Sequence, residues 1–174
     1  MHLLTKLCAL FLLIIFSNSC STASISEIEN QVEKKQKDHP YFVINELIDG
    51  YPKTKILNND LKFYANKAEY PWNLRIIIEL DEPRNDGTPS RQEDAYLNEF
   101  QEFVEEKLSR IGDYKYVGQL TWEGERRIEY YITDPTFIER FLTAMIDAKK
   151  INNNITFDIE KDKRWENYSR FQKL

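Results

Sequence analysis

Trp72-Asn73-Leu74-Arg75-Ile76-Ile77-Ile78-Glu79-Leu80 is the stretch that decides the fold. In an extended chain, side chains alternate between two faces. Leu74, Ile76, Ile78 and Leu80 therefore fall on one side, and Arg75, Ile77 and Glu79 on the other. The aliphatic side must be covered, and the residues that follow can cover it. After a loop at Asp81–Pro89, which holds two prolines and one glycine, Ser90-Arg91-Gln92-Glu93 has the form of a capping box. There the Ser oxygen accepts an orphan backbone N–H and the Glu reaches back. Leu97, Phe100, Val104, Leu108 and Ile111 then recur at helical spacing, with Phe103 beside them. Gly112 closes the helix, where a residue without Cβ can take the left-handed conformation.

Beyond it, Tyr114–Trp122 and Arg127–Thr133 read as a hairpin around Glu123-Gly124-Glu125, with Leu120 and Trp122 alternating against Gln119 and Thr121. Asp134 and Pro135 suit the cap and first turn of a second helix. Its apolar face would be Phe137, Ile138, Phe141, Leu142, Met145 and Ile146. Asn152-Asn153-Asn154 break it, and Ile155, Phe157 and Ile159 alternate with polar residues as a last strand. A short terminal segment carries Trp165, Tyr168 and Phe171. Upstream of Trp72, the run Tyr41–Ile48 meets Asp49-Gly50, a dipeptide suited to the positive φ of a tight turn. A second run from Pro52 through Ile56 and Leu57 follows, and Leu61–Tyr64 would extend it. The expected fold is α+β: a β-hairpin, then a ferredoxin-like β-α-β-β-α-β block with both helices on one face of an antiparallel sheet.

Residues 1–19 read as a lipoprotein signal peptide. Lys6 supplies its charge and Leu7–Phe16 its ten-residue apolar core, shorter than the roughly 20 residues that span a bilayer. Ser17-Asn18-Ser19-Cys20 then offers a small residue before a lipid-accepting Cys, although Ser17 stands where Leu is usual; ordinary cleavage after Ala23 is the alternative. Cys8 leaves with the signal, so Cys20 is the one mature Cys. Disulfides are then unavailable, and acylation would remove a free thiol. Residues 20–39 are polar and suit a tether, leaving 40–174 as a single domain. The expected partner is a membrane of the bacterial cell envelope, reached through lipidated Cys20, on the side facing the periplasm or cell surface.

The formal net charge is −5, and the 24 basic residues are scattered among 29 acidic ones. Nucleic acid would require a basic stripe that releases counterions, so it is not an expected partner. His2 leaves with the signal and His39 stands alone, which provides neither a His-based triad nor a zinc cluster. No cofactor, metal or catalytic residue is expected.

The chain from Tyr41 to Phe171 resembles the family catalogued as domain of unknown function 695. The resemblance rests on the opening hairpin with Asp49-Gly50 and Pro52, and on Gly87-Thr88-Pro89 before Glu93. It also rests on Tyr116-Val117-Gly118 with Thr121, Gly124, Arg127 and Tyr130-Tyr131, and on the ending Asp162, Trp165 and Tyr168. Thr88 departs from the larger apolar residue expected there. Relatives are similar to the regulator of ribonuclease activity B, a cytoplasmic protein-binding inhibitor. The resemblance thus implies a binding module, although an exported copy could not meet a cytoplasmic ribonuclease.

The expected function is a membrane-tethered interaction module for an unknown protein or small ligand. A carboxylate-based envelope hydrolase and a structural envelope protein are the alternatives. The expected partner surface is the sheet face away from the helices, with Arg75, Ile77, Gln119 and Thr121. Arg127 and Asp162 could pair with each other or bind a ligand carboxylate. Trp165 and Tyr168 could form an aromatic surface or lock the C-terminal segment to the core.

Overall fold

The computed structural model describes residues 40–150 and 154–174. The signal 1–19, Cys20, the tether 20–39, Asn152 and Asn153 lie outside the described residues. The described strands are β1 (Tyr41–Ile48), β2 (Tyr51–Asn58), β3 (Trp72–Glu79), β4 (Tyr114–Trp122), β5 (Glu125–Ile132) and β6 (Ile155–Lys161). The helices are α1 (Arg91–Ile111), α2 (Thr136–Asp147) and α3 (Glu166–Lys173), and two 3-10 turns occupy Asn59–Phe63 and Lys67–Glu69. The strands form one sheet in the order β1-β2-β4-β5-β3-β6, antiparallel throughout. The last four of these positions are the expected split arrangement, and the opening hairpin extends the sheet beside β4. The α+β, ferredoxin-like reading holds.

Local chemistry fixes the elements. Asp49 (φ 51°) and Gly50 (φ 87°) make the first hairpin turn, and Glu123 (φ 48°) and Gly124 (φ 79°) make the second. The second turn needs only two residues, so β5 begins at Glu125, two residues earlier than expected. Ser90 Oγ accepts the Glu93 N–H at 3.2 Å. Glu93 Oε1 in turn accepts the Asp81 N–H at 2.6 Å and ties the loop to the helix start. Asp134 Oδ1 caps α2 through the Thr136 N–H at 2.8 Å. Gly112 departs from expectation: its φ of 158° and ψ of −172° are nearly extended, and its N–H still reaches the Leu108 carbonyl at 3.2 Å. Leu61 belongs to a 3-10 turn, since Asn58 Oδ1 takes the Asp60 N–H and bends the chain.

Two cores lie on opposite faces of the sheet. The first is mainly aliphatic: Leu97, Phe100, Val104 and Leu108 of α1 and Ile138 and Leu142 of α2 cover Leu74, Ile76, Ile78, Ile128 and Ile155. Each such side chain stabilises the fold by ~1.5–3 kcal/mol through lost contact with water. Ile111 and Phe137, expected in this core, are exposed at its rim, and Phe137 stacks on Phe141 at 6.1 Å. The second core is aromatic and was not foreseen as a core. Trp165, Tyr168 and Phe171 pack with Leu57, Leu61, Tyr70, Val117 and Tyr131, so the face left open in the sequence reading is partly roofed by α3. A Cβ on Gly118 would lie 2.1 Å from the Ile56 carbonyl oxygen and 2.8 Å from Phe171. Glycine is what lets α3 sit this close to the sheet.

Candidate functional site

The strand register decides which expected site residues meet. Arg75 of β3 lies between Glu129 of β5 and Asp158 of β6, and residues directly opposite share a face. Arg75 Nε donates to Asp158 Oδ2 at 3.1 Å, and its guanidinium pairs with that carboxylate. The bond to Asp158 raises the Arg75 pKa further. Arg127 Nε donates to Glu129 Oε1 at 2.6 Å and its Nη2 pairs with the same oxygen. Glu129 itself is 0% exposed, and its Oε2 has no hydrogen-bond partner. Burial pushes the Glu129 carboxyl up, more than Arg127, Arg75 and the Asn73 amide pull it down. Arg75, Arg127, Glu129 and Asp158 thus form a polar shelf beside α3, with Phe171 5.8 Å from the Arg127 guanidinium.

Gln119 and Thr121 do not join that shelf. The register of β4 shifts between Tyr116 and Gly118, so Gln119 faces Ile128 and Thr121 faces Arg126. One extra residue turns everything after it to the other face. Both side chains are buried on the face of α1 and α2. There Arg126, 3% exposed, donates to Thr121 Oγ1 at 3.1 Å, Asn98 Oδ1 at 3.1 Å and Asp94 Oδ1 at 2.5 Å.

Arg127 and Asp162 do not pair with each other. Asp162 accepts from Tyr131 Oη at 2.6 Å, the Asn167 N–H at 2.7 Å and the Glu166 N–H at 2.9 Å. Burial pulls the Asp162 carboxyl upward, but these bonds together outweigh it and the net shift is downward. Two of them occupy orphan N–H groups of the first turn of α3. Trp165 enters that turn at φ 58°. Its ring stacks on Tyr131 at 4.0 Å and 7°, and its indole N–H points to the Tyr70 carbonyl at 3.0 Å. Trp165 is 0% and Tyr168 2% exposed, so both lock the terminal segment to the sheet and offer no aromatic surface.

The open surface lies elsewhere, on β1. This end strand of the described sheet exposes Phe42, Val43 and Leu47, the last at 76%, and Tyr51 beyond the turn is exposed as well. In a two-residue hairpin the pair beside the turn exchanges both backbone hydrogen bonds. Here that pair is Ile48 and Tyr51. Counting back by twos, Ile48, Glu46, Ile44 and Phe42 bond to β2, while Leu47, Asn45, Val43 and Tyr41 turn their N–H and C=O outward. The one charge on β1, Glu46, is matched by Lys53 at 3.6 Å. The opposite edge, β6, carries Asp158, Glu160 and Lys161, the kind of charges that discourage edge pairing.

Sequence reasoning also missed a tyrosine set where α1 meets the hairpin. Tyr41 packs on Tyr116 at 5.8 Å and Tyr116 on Tyr130 at 5.6 Å. Glu105 accepts from the hydroxyls of Tyr130 at 3.2 Å and Tyr114 at 3.3 Å. Burial, then the Glu105 charge, pushes the Tyr114 phenol up to about 12. Glu129 was the other omission. Its place in a strand was the available signal, since period-2 alternation puts residues 127 and 129 side by side on one face.

A shallow cleft of about 300 Å³ opens at the end of β6, lined among others by Glu160, Asp162, Glu166 and Arg170. Among the described residues, no three His, Cys, Asp or Glu side chains converge to hold a metal ion, and no helix is long and apolar enough to cross a membrane. No curated protein and no solved structure matches the chain. A family model does match, over residues 42–172, from the exposed strand to the helix that roofs the second core, and its description is a family of unknown function. The chain belongs to that family, DUF695.

Proposed function

We propose that the domain is an interaction module, held at an envelope membrane by a lipid on Cys20, whose contact surface is the β1–β2 hairpin. The observation that carries this reading is the exposed apolar edge of β1, with Val43 and Leu47 bare and a row of outward backbone groups. Soluble domains ordinarily blunt such edges with charge, proline or a covering element. A partner strand laid along β1 would satisfy the backbone row and cover the side chains. The polar shelf at Arg75 and Arg127 finds less support as a contact surface, because its charges are already paired. A carboxylate hydrolase also finds less support: Asp162, the most buried acid of the cleft, is engaged in capping α3.

The test is crosslinking in intact cells followed by mass spectrometry, comparing the wild-type chain with Val43→Lys. A crosslinked species lost in the variant is the expected result. Identical patterns in both would remove β1 as the contact surface. In parallel, Cys20→Ser is expected to release the protein from the membrane fraction; retention there would refute the lipid anchor.

A further inference from the structure

Resting on the reading of β1 as the contact edge, we infer that its occupant is β1 of a second copy of this chain, paired antiparallel about a two-fold axis through Asn45. Such an axis, perpendicular to the sheet, keeps each face of the sheet continuous across the junction. It requires residues of equal parity to meet, and β1 meets this condition with matched chemistry. Val43 falls opposite Leu47 of the second copy, and Leu47 opposite its Val43. Asn45 falls opposite itself. These are the residues whose backbone groups point outward, so their pairing closes roughly six interchain N–H···O bonds.

The other face of the strand fits the same register. Phe42 meets Ile48 of the second copy, and Ile44 meets Glu46, whose charge is held by Lys53 at 3.6 Å on its own chain. No like charges are brought together. A register centred on Ile44 is poorer: it sets Phe42 against Glu46 and Val43 against Asn45, two kinds of apolar–polar mismatch where the register through Asn45 has one, Ile44 against Glu46. An unrelated partner strand would have no need of this palindromic match, and that is what favours a second copy. The charged edge at β6 limits the assembly to a closed pair, since growth from that edge is opposed.

The experiment uses the full chain, produced with its own N-terminus and purified, followed by sedimentation across a concentration series. Four proteins are compared: wild type, Val43→Lys, Leu47→Glu and the double variant. A wild-type monomer–dimer equilibrium is expected, and each single variant should weaken it at least about tenfold by setting a charge against an apolar residue. The double variant should recover the dimer, because each introduced lysine then faces an introduced glutamate only in the register through Asn45. Failure of the double variant to recover, or wild-type assembly into open-ended oligomers, overturns the proposal. A wild-type monomer overturns it too, and the in-cell crosslinking then separates two cases. If Val43→Lys abolishes a crosslink to another protein, β1 remains a contact edge with a different occupant. If it changes nothing, the contact-edge reading fails as well.

Discussion

The two faces of the sheet are built on different principles. The face under α1 and α2 is mainly aliphatic and modular: amphipathic helices meet a strand of alternating Leu and Ile, and many neighbours share the load. The face under α3 is aromatic and keyed. Trp165 sits at a left-handed φ, stacked on Tyr131; Asp162 caps the helix that Trp165 opens; Gly118 leaves room for Phe171. The first face tolerates small errors by repacking, because Leu and Ile have near-equivalents. The second depends on single residues with no substitute of the same shape.

The sharpest way to break that contrast is at Gly118. Gly118→Val is expected to abolish folding or expel α3, because even the first side-chain carbon would overlap a backbone carbonyl. Thermal unfolding monitored by circular dichroism checks it, and a native-like melt would show that β2 and α3 can retreat. Next in size, Trp165→Ala should cost ~3–5 kcal/mol, against ~2–5 for Leu142→Ala. Proteolysis should separate them: the Trp165 variant is expected to lose protection first at α3, the Leu142 variant throughout. Uniform loss in both would erase the distinction between the faces.

Asp162→Ala should cost roughly 1–3 kcal/mol, since it orphans the Tyr131 hydroxyl and two N–H groups. Denaturant titration measures this. Glu129 gives the smallest effect and the opposite sign with pH. Its folded pKa is raised, so the folded state holds the proton more tightly. Stability should therefore rise as pH falls through the folded pKa toward ~4.3. Asp162, whose folded pKa is lowered, contributes stability above ~3.9 that is lost as pH falls further. Glu129→Gln should remove the part of this gain that is made above ~4.3. A variant that keeps the full gain would place the titrating group elsewhere.

How far the sequence could be read follows the same division. Local patterns announced the first face: alternation in Trp72–Leu80, the Ser90 cap, and the 3.6-residue rhythm from Leu97 to Leu108. Both hairpin turns and the arrangement of the last four strands followed from chain order and topology rules, whereas the place where the opening hairpin joins the sheet, beside β4, did not. The second face rests on pairings between residues about 30 to 110 positions apart, such as Tyr131 with Trp165 and Tyr168 Oη with the Asn58 carbonyl. No periodicity signals those. The misplacement of Gln119 and Thr121 has one cause, the extra residue at Val117–Gly118, which no alternation rule anticipates. The exposed edge of β1 was visible as an apolar run, but its freedom was not. Only the strand order shows that nothing described lies beyond it.

Lys53 and Lys55 of β2 reach across to the carbonyls of Leu174 and Gln172 at the end of α3. This clasp has a consequence in time. The chain emerges from the ribosome N-terminus first, so the hairpin that bears the apolar edge appears well before its clasp. Until then Lys53, Lys55, Leu57 and the groove over Gly118 have nothing above them, and such long-range closure is slow. The late docking of α3 therefore acts as a delay: the hairpin gains its final support only once α3 has emerged.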